Sequence, residues 1–284
     1  MTKVKGIGEL GLLERIRPYL DPGAGGDDAA VIPDGNGYLV ASTDMFVEGV
    51  HFDLSWMSPE DAGWRSLALA LGDLAAKGAE PEWALVALAL PPAWDVERLS
   101  GLYEGMQALT AQHRFTIAGG DMSAIDGPAV VAISVVGRAT KNPLPRSYAQ
   151  PGWAIGVTGP LGRAALSLRA RRAYRLVPRL EEGRRLNALG LCCGDISDGL
   201  VREMEKFAAM SGAGSVIRAA AVPRADGASV DDALTSGEEA ELVCVGPPDV
   251  IGKARLHIVG EMTETGEVRV EGARLSSTGY DHFA

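Results

Sequence analysis

The apolar residues of the chain recur at helical spacing in some stretches and alternate with polar residues or form short runs in others. Helices are predicted for the stretches with helical spacing, which are 10–20, 58–77, 95–113, 161–173, 179–189 and 200–210. Strands are predicted for the β-rich stretches, which are 38–42, 83–90, 115–118, 129–136, 153–158, 191–193, 216–218 and 241–245, with two more near Ile258 and Val268. Because these elements mix without a strict βαβ rhythm, the expected fold class is α+β rather than a doubly wound sheet.

The chain of 284 residues is long enough for one large domain or two modest ones. Between 141 and 152 the pattern changes to proline, arginine and glycine, which is typical of a segment between domains. We therefore expect an N-terminal domain over 1–140 and a C-terminal domain over 150–284. Two glycine-rich turns are predicted beside acidic residues, over 22–28 and at Gly119-Gly120-Asp121.

The net charge of −10 argues against a nucleic-acid partner, because such a protein needs basic surface to displace counterions. The longest apolar run, 83–90, is far shorter than the roughly 20 residues that cross a bilayer, so we expect no membrane partner and a cytoplasmic location. The three cysteines are too few for a disulfide framework and lack the spacing of zinc ligands. Cys192 and Cys193 are expected in a buried strand.

Aspartates lie in unusual surroundings in five separate segments. Asp73 is the only charged residue between Arg65 and Lys77, on a helix that is apolar almost all round and is therefore buried. If Asp73 were the only such residue, a helix cap or a salt bridge would explain its position. Similar aspartates follow strands or glycines at Asp27, Asp28, Asp44, Asp121, Asp195 and Asp198. Converging carboxylates repel each other unless cations lie between them, and all-oxygen ligands indicate Mg²⁺.

The glycines beside these carboxylates leave backbone N–H groups free to face phosphate oxygens. Mg²⁺ held by a few carboxylates is typically completed by water and phosphate, so the pattern indicates a nucleotide enzyme that transfers a phosphoryl group. The sequence contains neither a P-loop nor the protein-kinase signature set. The Gly-x-Gly-x-x-Gly over 6–11 has no strand before it, so it does not predict a dinucleotide site.

Two further side chains are candidates for ligand binding. Arg146 lies in the segment between the predicted domains, where a phosphate clamp and a structural role are equally compatible with the sequence. His51 lies seven residues beyond Asp44, and a structural role and a ligand contact are again evenly balanced. Eight arginines within 163–185 are better explained as a solvated helix face than as a phosphate or partner contact.

Short motifs follow one another in a specific order along nearly the whole chain. They are Gly8-Glu9-Leu10, Gly26-Asp27-Asp28-Ala29, Ser42-Thr43-Asp44, Gly49-Val50-His51-Phe52, Asp73-Leu74-Ala75-Ala76-Lys77-Gly78-Ala79, Gly119-Gly120-Asp121, Arg146-Ser147 with Pro151-Gly152, Asp195-Ile196-Ser197-Asp198-Gly199-Leu200, Ser236-Gly237-Glu238 and Gly279-Tyr280-Asp281-His282-Phe283. In this order they resemble the thiamine-monophosphate kinase family, whose superfamily includes aminoimidazole ribonucleotide synthetase and selenophosphate synthetase. The match to the kinases is closer than to their relatives.

The resemblance implies ATP-dependent phosphorylation of thiamine monophosphate to thiamine diphosphate. It also implies two α+β domains, with the active site in the cleft between them. The N-terminal domain is expected to pair with that of a second subunit into a shared β-barrel, so a homodimer is expected.

The resemblance also assigns roles to individual residues. Several Mg²⁺ ions are expected at Asp28, Ser42, Thr43, Asp44, Asp73, Asp121, Asp195 and Asp198. ATP is expected at Tyr103, Gly120, Asp121, Arg146 and Ser197, and thiamine monophosphate at His51, Glu238 and Tyr280. Catalysis is expected to depend on Asp44, Asp73, Asp121 and Arg146. Direct in-line transfer is expected because the acceptor phosphate, with a second pKa of about 6, needs no strong base.

The sequence departs from the family pattern in two places. Ala240 stands where the family usually has an aromatic residue, and the second half is shorter than is common, around 163–190 and 219–236. Two alternatives remain: another ATP-dependent enzyme of the superfamily, or a non-catalytic protein that binds Mg²⁺ and nucleotide. The first cysteine is Cys192, whereas selenophosphate synthetase normally has a reactive cysteine near its start. A pure binding protein has little need for so many carboxylates.

Overall fold

The computed structural model describes residues 3–20 and 25–283. Its elements form two sheets with helices packed against them, which confirms the expected mixed α+β class. The first half contains α1 (Glu9–Ile16), β1 (Ala30–Asp34), β2 (Gly37–Val47), α2 (Pro59–Ala76), β3 (Glu80–Leu90), α3 (Val96–His113), β4 (Thr116–Ala124) and β5 (Val130–Ala139). The second half contains β6 (Ala154–Val157), α4 (Arg163–Ala170), α5 (Leu180–Ala188), β7 (Cys192–Asp195), α6 (Leu200–Ser211), β8 (Gly214–Arg218), α7 (Val230–Thr235), β9 (Leu242–Gly246), α8 (Pro248–Lys253), β10 (His257–Thr263) and β11 (Val268–Glu271).

The N-terminal sheet has the strand order β1-β2-β5-β3-β4, and only its β3–β4 pair is parallel. Side chains alternate across a strand, so one face of this sheet buries Val40, Phe46, Val86 and Ile133 beneath the helices. Thr43, Met45, Leu85 and Ala87 lie on the opposite face, which we call the open face. Residues of the open face are more exposed than those beneath the helices.

Helix α2 lies between the two halves of the chain. Its N-terminus is capped by Ser58, whose Oγ accepts a hydrogen bond from the Asp61 N–H at 3.1 Å. The chain leaves the helix through Gly78, whose φ of +61° favours glycine. Most of the helix is buried, because it packs against α3 and the N-terminal sheet and also against α5 and β7. This position carries Asp73 into the space between the halves.

The C-terminal sheet has the strand order β11-β8-β10-β6-β9-β7. A separate hydrophobic core lies against this sheet, and α6 contributes Leu200, Val201, Met204 and Phe207 to it. The apolar residues of α6 lie at helical spacing, so they face the sheet together. Strand β7 ends at Asp195, directly before the segment that leads into α6.

Several predicted elements differ from the structure. The turn predicted at Gly119-Gly120-Asp121 is wrong, because these residues continue β4 beside β3 and the pairing overrides their turn preference. The helix predicted over 161–173 is shorter, since Arg171 adopts a left-handed conformation with φ +46° directly after α4. The loop predicted over 22–28 falls partly on 21–24, outside the described residues.

Two cysteines are bonded to each other. Cys193 and Cys244 occupy paired positions on β7 and β9 and form a disulfide, while Cys192 is a buried free thiol. The expectation of buried strand positions for Cys192 and Cys193 is confirmed. Three cysteines are too few for a disulfide framework but enough for one bridge. The sequence did not predict this bridge, because cysteine spacing does not reveal which strands pair. Across the described residues, every helix is too short or too polar to span a bilayer.

Candidate active site

A cleft of about 1060 Å³ lies between the two halves of the chain. Its walls come from the segment before β1, from β2 and α2, and from the segments around β7, α4, α6 and the C-terminus. Most of the residues singled out in the sequence line this cleft, namely Asp28, Ser42, Thr43, Asp44, His51, Asp73, Arg146, Asp195, Ser197, Asp198, Glu238 and Tyr280.

Three carboxylates meet at the inner end of the cleft. Asp28, Asp73 and Asp195 each offer an oxygen, and these oxygens all lie within 4.8 Å of one another. The Ser42 hydroxyl joins them, donating to Asp73 Oδ2 and lying 3.0 Å from the Asp28 carbonyl oxygen. A side chain at Gly72 would place its Cβ 2.8 Å from Asp195 Oδ2, so the glycine lets α2 approach β7.

The pKa values of this cluster record strong repulsion. Burial, followed by the charges of Asp28 and Asp198, raises the pKa of Asp44 to about 6. Burial, followed by Asp44 and Asp195, raises the pKa of Asp73 well above its usual range. Burial, followed by Asp28 and Glu203, does the same for Asp195. A proton or a bound cation therefore stabilises these carboxylates.

Asp28 differs from its neighbours because two buried cations flank it. Lys77 Nζ lies 2.8 Å from Asp28 Oδ2, and Arg146 Nη2 donates to Asp28 Oδ1. Burial alone would raise the pKa of Asp28, but Arg146 and Lys77 hold it well below its usual range. Asp28 is therefore an ionised carboxylate that Lys77 and Arg146 hold in place among the other carboxylates.

Arg146 lies within this network rather than on the surface of the cleft. Its side chain is 3% exposed, and Nη2 also donates to Glu203 Oε2 at 2.7 Å. Nη1 donates to the Gly26 carbonyl oxygen at 3.2 Å. The guanidinium thus fixes the loop before β1 against α6.

The residues at the inner end fit a hard divalent cation. The available donors are carboxylate, hydroxyl and carbonyl oxygens, the ligand types that suit Mg²⁺ and Ca²⁺. The convergence of three carboxylates and the raised pKa values of Asp73 and Asp195 both indicate a site built for positive charge.

The outer end of the cleft is aromatic and is arranged around one histidine. The Val47 N–H donates to His51 Nδ1 at 3.0 Å, so the neutral ring carries its proton on Nε2. Burial lowers the pKa of His51, which favours this neutral form. The His282 ring lies 5.1 Å from that of His51 and 4.8 Å from that of Tyr280, between centroids.

Glu238 completes the outer end. Arg65 pairs with Glu238 Oε2 and donates from Nε to the His51 carbonyl oxygen at 3.2 Å. Glu238 Oε1 is buried and has no hydrogen-bond partner among the described residues. Glu238 also has φ +58°, an uncommon conformation for a residue with a side chain. One carboxylate oxygen is thus held by Arg65, and the other is left for a ligand.

Three expected residues lie outside the cleft. Tyr103 packs partly buried against the core beneath the N-terminal sheet. Gly120 and Asp121 lie on β4, beside a small depression of about 340 Å³ on the open face. Because side chains alternate along a strand, Asp44 faces the cleft while the Thr43 side chain faces the open face, where Ser134 Oγ lies 3.0 Å from Thr43 Oγ1. A single chain therefore does not bring Asp121 to the other carboxylates.

Several charged residues that line the cleft or are buried directly beside it were not predicted from the sequence. Lys77 carried a usable signal, since it is the cation at the end of an otherwise apolar helix. No such signal marked Glu203 and Lys206 on α6 or Arg65 on α2, because charged residues are ordinary on amphipathic helices. Their roles follow from burial and pairing alone.

Comparison with known proteins agrees with this architecture. The family model described as AIR synthase related protein, N-terminal domain, matches residues 26–139. A thiamine-monophosphate kinase from Rhodopirellula baltica is 34% identical over 79% of this chain and 76% of its own length. Another from Halobacterium salinarum is 32% identical over 90% of this chain and 94% of its own length. The chain belongs to the thiamine-monophosphate kinase family.

A solved structure of the same family has the same fold. AaThiL complexed with AMPPCP and TMP superposes with a TM-score of 0.90 at 26% identity, covering 100% of this chain and 99% of that chain.

Proposed function

We propose that this chain transfers the γ-phosphoryl group of ATP to thiamine monophosphate, forming thiamine diphosphate and ADP. Family membership supports the proposal, as does the binding of AMPPCP and TMP by AaThiL. The observation that carries it for this chain is one cleft with a carboxylate cluster at its inner end and His51, Glu238 and Tyr280 at its outer end. We assign the triphosphate to the inner end and the small aromatic phosphate to the outer end.

The proposed metal ligands are the acidic residues of the inner end. Asp28, Asp44, Asp73 and Asp195, with the Ser42 hydroxyl, would hold Mg²⁺ there. Bound Mg²⁺ neutralises phosphate charge and orients the oxygens of donor and acceptor. Lys77 and Arg146 keep Asp28 ionised and fixed, so that it is ready for the cation.

We infer a direct in-line transfer. The acceptor phosphate is mostly dianionic at neutral pH, so it is already a nucleophile and needs no base to remove a proton. The bond from the acceptor oxygen to the γ-phosphorus forms as the bond from that phosphorus to the ADP oxygen breaks. The main obstacle to the transfer is repulsion between the acceptor phosphate and the triphosphate of ATP. This accounts for a cleft that contains ligands for cations rather than a serine nucleophile and a histidine base.

At the outer end, His51 and Glu238 are proposed to orient the thiamine moiety. His51 presents a neutral ring with its Nε2 proton, and Glu238 presents an unpartnered carboxylate oxygen. Tyr280 is half-exposed beside them and supplies an aromatic surface. Ser197 lies nearer the carboxylates, where a nucleotide phosphate contact is proposed.

We also propose that two copies pair through the open face of the N-terminal domain, which we place over 1–140, with the C-terminal domain over 150–284. Strand register aligns Met45, Ala132, Ala87 and Asp121 in one row across this face. Met45 is 62% exposed and Leu85 is 39% exposed on the same side. A second copy covering this face would bury apolar surface and form the shared barrel.

This pairing bears on the residues outside the cleft. Gly120 and Asp121 would then lie at the interface between two copies. The ATP contacts at Gly120 and Asp121, and the metal contact at Asp121, stay predictions that need a partner subunit. The ATP contact at Tyr103 and the metal contact at Thr43 also stay predictions.

A product assay tests the proposed reaction. The purified protein is incubated with ATP and Mg²⁺, together with either thiamine monophosphate or free thiamine, and products are separated by chromatography. We expect thiamine diphosphate and an equal amount of ADP from the monophosphate, and no diphosphate from free thiamine. Binding of ATP without product would favour a non-catalytic nucleotide-binding protein.

A further inference from the structure

Lys206 is a buried cation at the edge of the carboxylate cluster. It lies on α6, lines the cleft, and its side chain is 18% exposed. Its ammonium nitrogen lies 2.7 Å from Asp198 Oδ2 and 2.7 Å from Glu203 Oε1. Ser197 Oγ is a third neighbour at 3.3 Å. An ammonium group has three N–H donors, and these three oxygens account for all of them.

Glu203, which is itself held by Arg146, fixes the position of this ammonium. The Glu203 side chain has no exposed surface and lies between two cations. Arg146 Nη2 holds its Oε2 at 2.7 Å, and Lys206 holds its Oε1. Because Arg146 also pairs with Asp28, a continuous chain of charges joins Lys206 to the cluster. The charge of Lys206 opposes the rise in the pKa values of Asp44 and Asp195.

We propose that Lys206 is a built-in cation of the cleft, whose ammonium holds Asp198 in place of a divalent ion. The proposal rests on the proposed function only in treating the inner end as a cation site. The family resemblance assigns Asp198 to Mg²⁺, but in this chain one Asp198 oxygen already accepts from Lys206. A divalent ion at that oxygen would have to displace a bound ammonium and approach its positive charge.

We place the divalent ions of this chain at Asp28, Asp73 and Asp195, whose oxygens lie within 4.8 Å of one another, together with Asp44. Lys206 supplies one fixed positive charge beside this cluster, where Asp198 and Glu203 would otherwise repel each other and an incoming phosphate. Such a charge is present at every Mg²⁺ concentration.

Counting bound Mn²⁺ tests the proposal without measuring catalysis. The full-length protein, free of nucleotide, is titrated with Mn²⁺ alone, and free Mn²⁺ is followed by electron paramagnetic resonance. We expect Lys206→Met to bind about one further Mn²⁺ per chain, because Asp198 and Glu203 become available as an oxygen pair. Lys206→Arg keeps the charge and is expected to bind the wild-type number. Lys253→Met, which removes an exposed lysine paired with Asp249, is the matched control and should not change the count.

Asp198→Asn provides an independent test that does not depend on how well Lys206→Met folds. We expect it to bind as many Mn²⁺ ions as the wild type, whereas Asp73→Asn should bind fewer. A lower count in Asp198→Asn, or an unchanged count in folded Lys206→Met, overturns the proposal. Neither result depends on product formation, so failure here is distinct from failure of the proposed kinase reaction.

Discussion

The ammonium nitrogen of Lys77 lies 2.8 Å from Asp28 Oδ2, and the Lys77 side chain has no exposed surface. The same ammonium donates to Asp27 Oδ1 and to the Cys193 carbonyl oxygen. Lys77 thus joins the end of α2 to the loop before β1 and to β7. This one buried cation holds together three segments that form the inner end of the cleft.

Replacing Lys77 with methionine should destabilise the protein strongly. The change removes a buried cation and leaves Asp27 and Asp28 short of positive charge, and breaking a buried pair in this way costs about 3–5 kcal/mol. Urea unfolding followed by circular dichroism measures the free energy of unfolding. Lys253→Met is the comparison, since its pair is exposed to solvent and should contribute little to stability. A loss at Lys77 no larger than at Lys253 would show that the buried pair is not a structural support.

Asp73→Asn should separate catalysis from folding. In the metal-free protein the Asp73 carboxylate is repelled by its neighbours, so the neutral amide should leave stability unchanged or raise it. The turnover number should fall by about 100-fold or more, equivalent to about 2.7 kcal/mol, because a cation ligand is lost. Thermal unfolding and steady-state kinetics measure the two effects. Near-normal turnover at low Mg²⁺ would show that Asp73 is not a metal ligand. We expect the same loss of turnover for Asp44→Asn, and near-normal turnover would exclude Asp44 in the same way.

The pKa of Asp44 predicts how Mg²⁺ and pH interact. Its pKa is raised to about 6 in the folded protein, so the folded state binds this proton more tightly than the unfolded state does. In the absence of Mg²⁺, the contribution of Asp44 to stability is therefore lost as the pH rises from about 4 to about 6. Mg²⁺ competes with the proton, so it should raise the melting temperature more at pH 8 than at pH 5, by at least about 3 °C. A shift in melting temperature that is equal at both pH values would contradict this, and Asp44→Asn should reduce the difference.

His51→Ala should affect one substrate more than the other. The ring lies at the outer end of the cleft, away from the carboxylate cluster, and its Nε2 proton is available to a ligand. We expect the KM for thiamine monophosphate to rise about tenfold, which is about 1.4 kcal/mol of binding, while the KM for ATP changes little. Initial rates measured with each substrate varied in turn give both constants. Equal increases in the two KM values would place His51 elsewhere in the mechanism.

The proposed dimer gives a separate prediction for the open face. Met45→Glu introduces charge into the row that contains Ala132 and Ala87, so it should convert a dimer to a monomer in sedimentation velocity. Leu189→Glu, at an exposed apolar residue of the second half, should leave the dimer intact. A wild-type protein that sediments as a monomer at micromolar concentration would rule out the pairing.

The sequence revealed the carboxylate cluster because charged residues stand where the surrounding pattern is apolar. Asp73 stands alone on an apolar helix, and burial of such a residue requires a partner or a cation, whichever fold surrounds it. Asp44 and Asp195 could be predicted in the same way, because each follows an apolar run; Asp195 ends β7, whereas β2 continues past Asp44 to Val47. These signals depend on a few neighbouring residues, so no knowledge of tertiary structure was needed.

Other features depend on pairings that local sequence does not encode. Gly119-Gly120-Asp121 has the composition of a turn, and only the register between β3 and β4 makes it a strand. That register places Asp121 on the open face, outside the cleft of one chain. Lys206 and Glu203 likewise look like ordinary helix surface until α6 is packed against the cleft. The predictable part of the site is thus its charge, and the unpredictable part is which cations neutralise it.

A single-turnover experiment tests the central claim most directly. Protein in excess is mixed with Mg²⁺, thiamine monophosphate and ATP labelled at the γ-phosphate, and the reaction is stopped at short times. We predict that label passes from ATP to thiamine diphosphate with no labelled protein at any time, and that Asp73→Asn greatly slows this transfer. Label retained in ATP by the wild type, or label accumulating on the protein before product forms, would contradict direct transfer in this cleft.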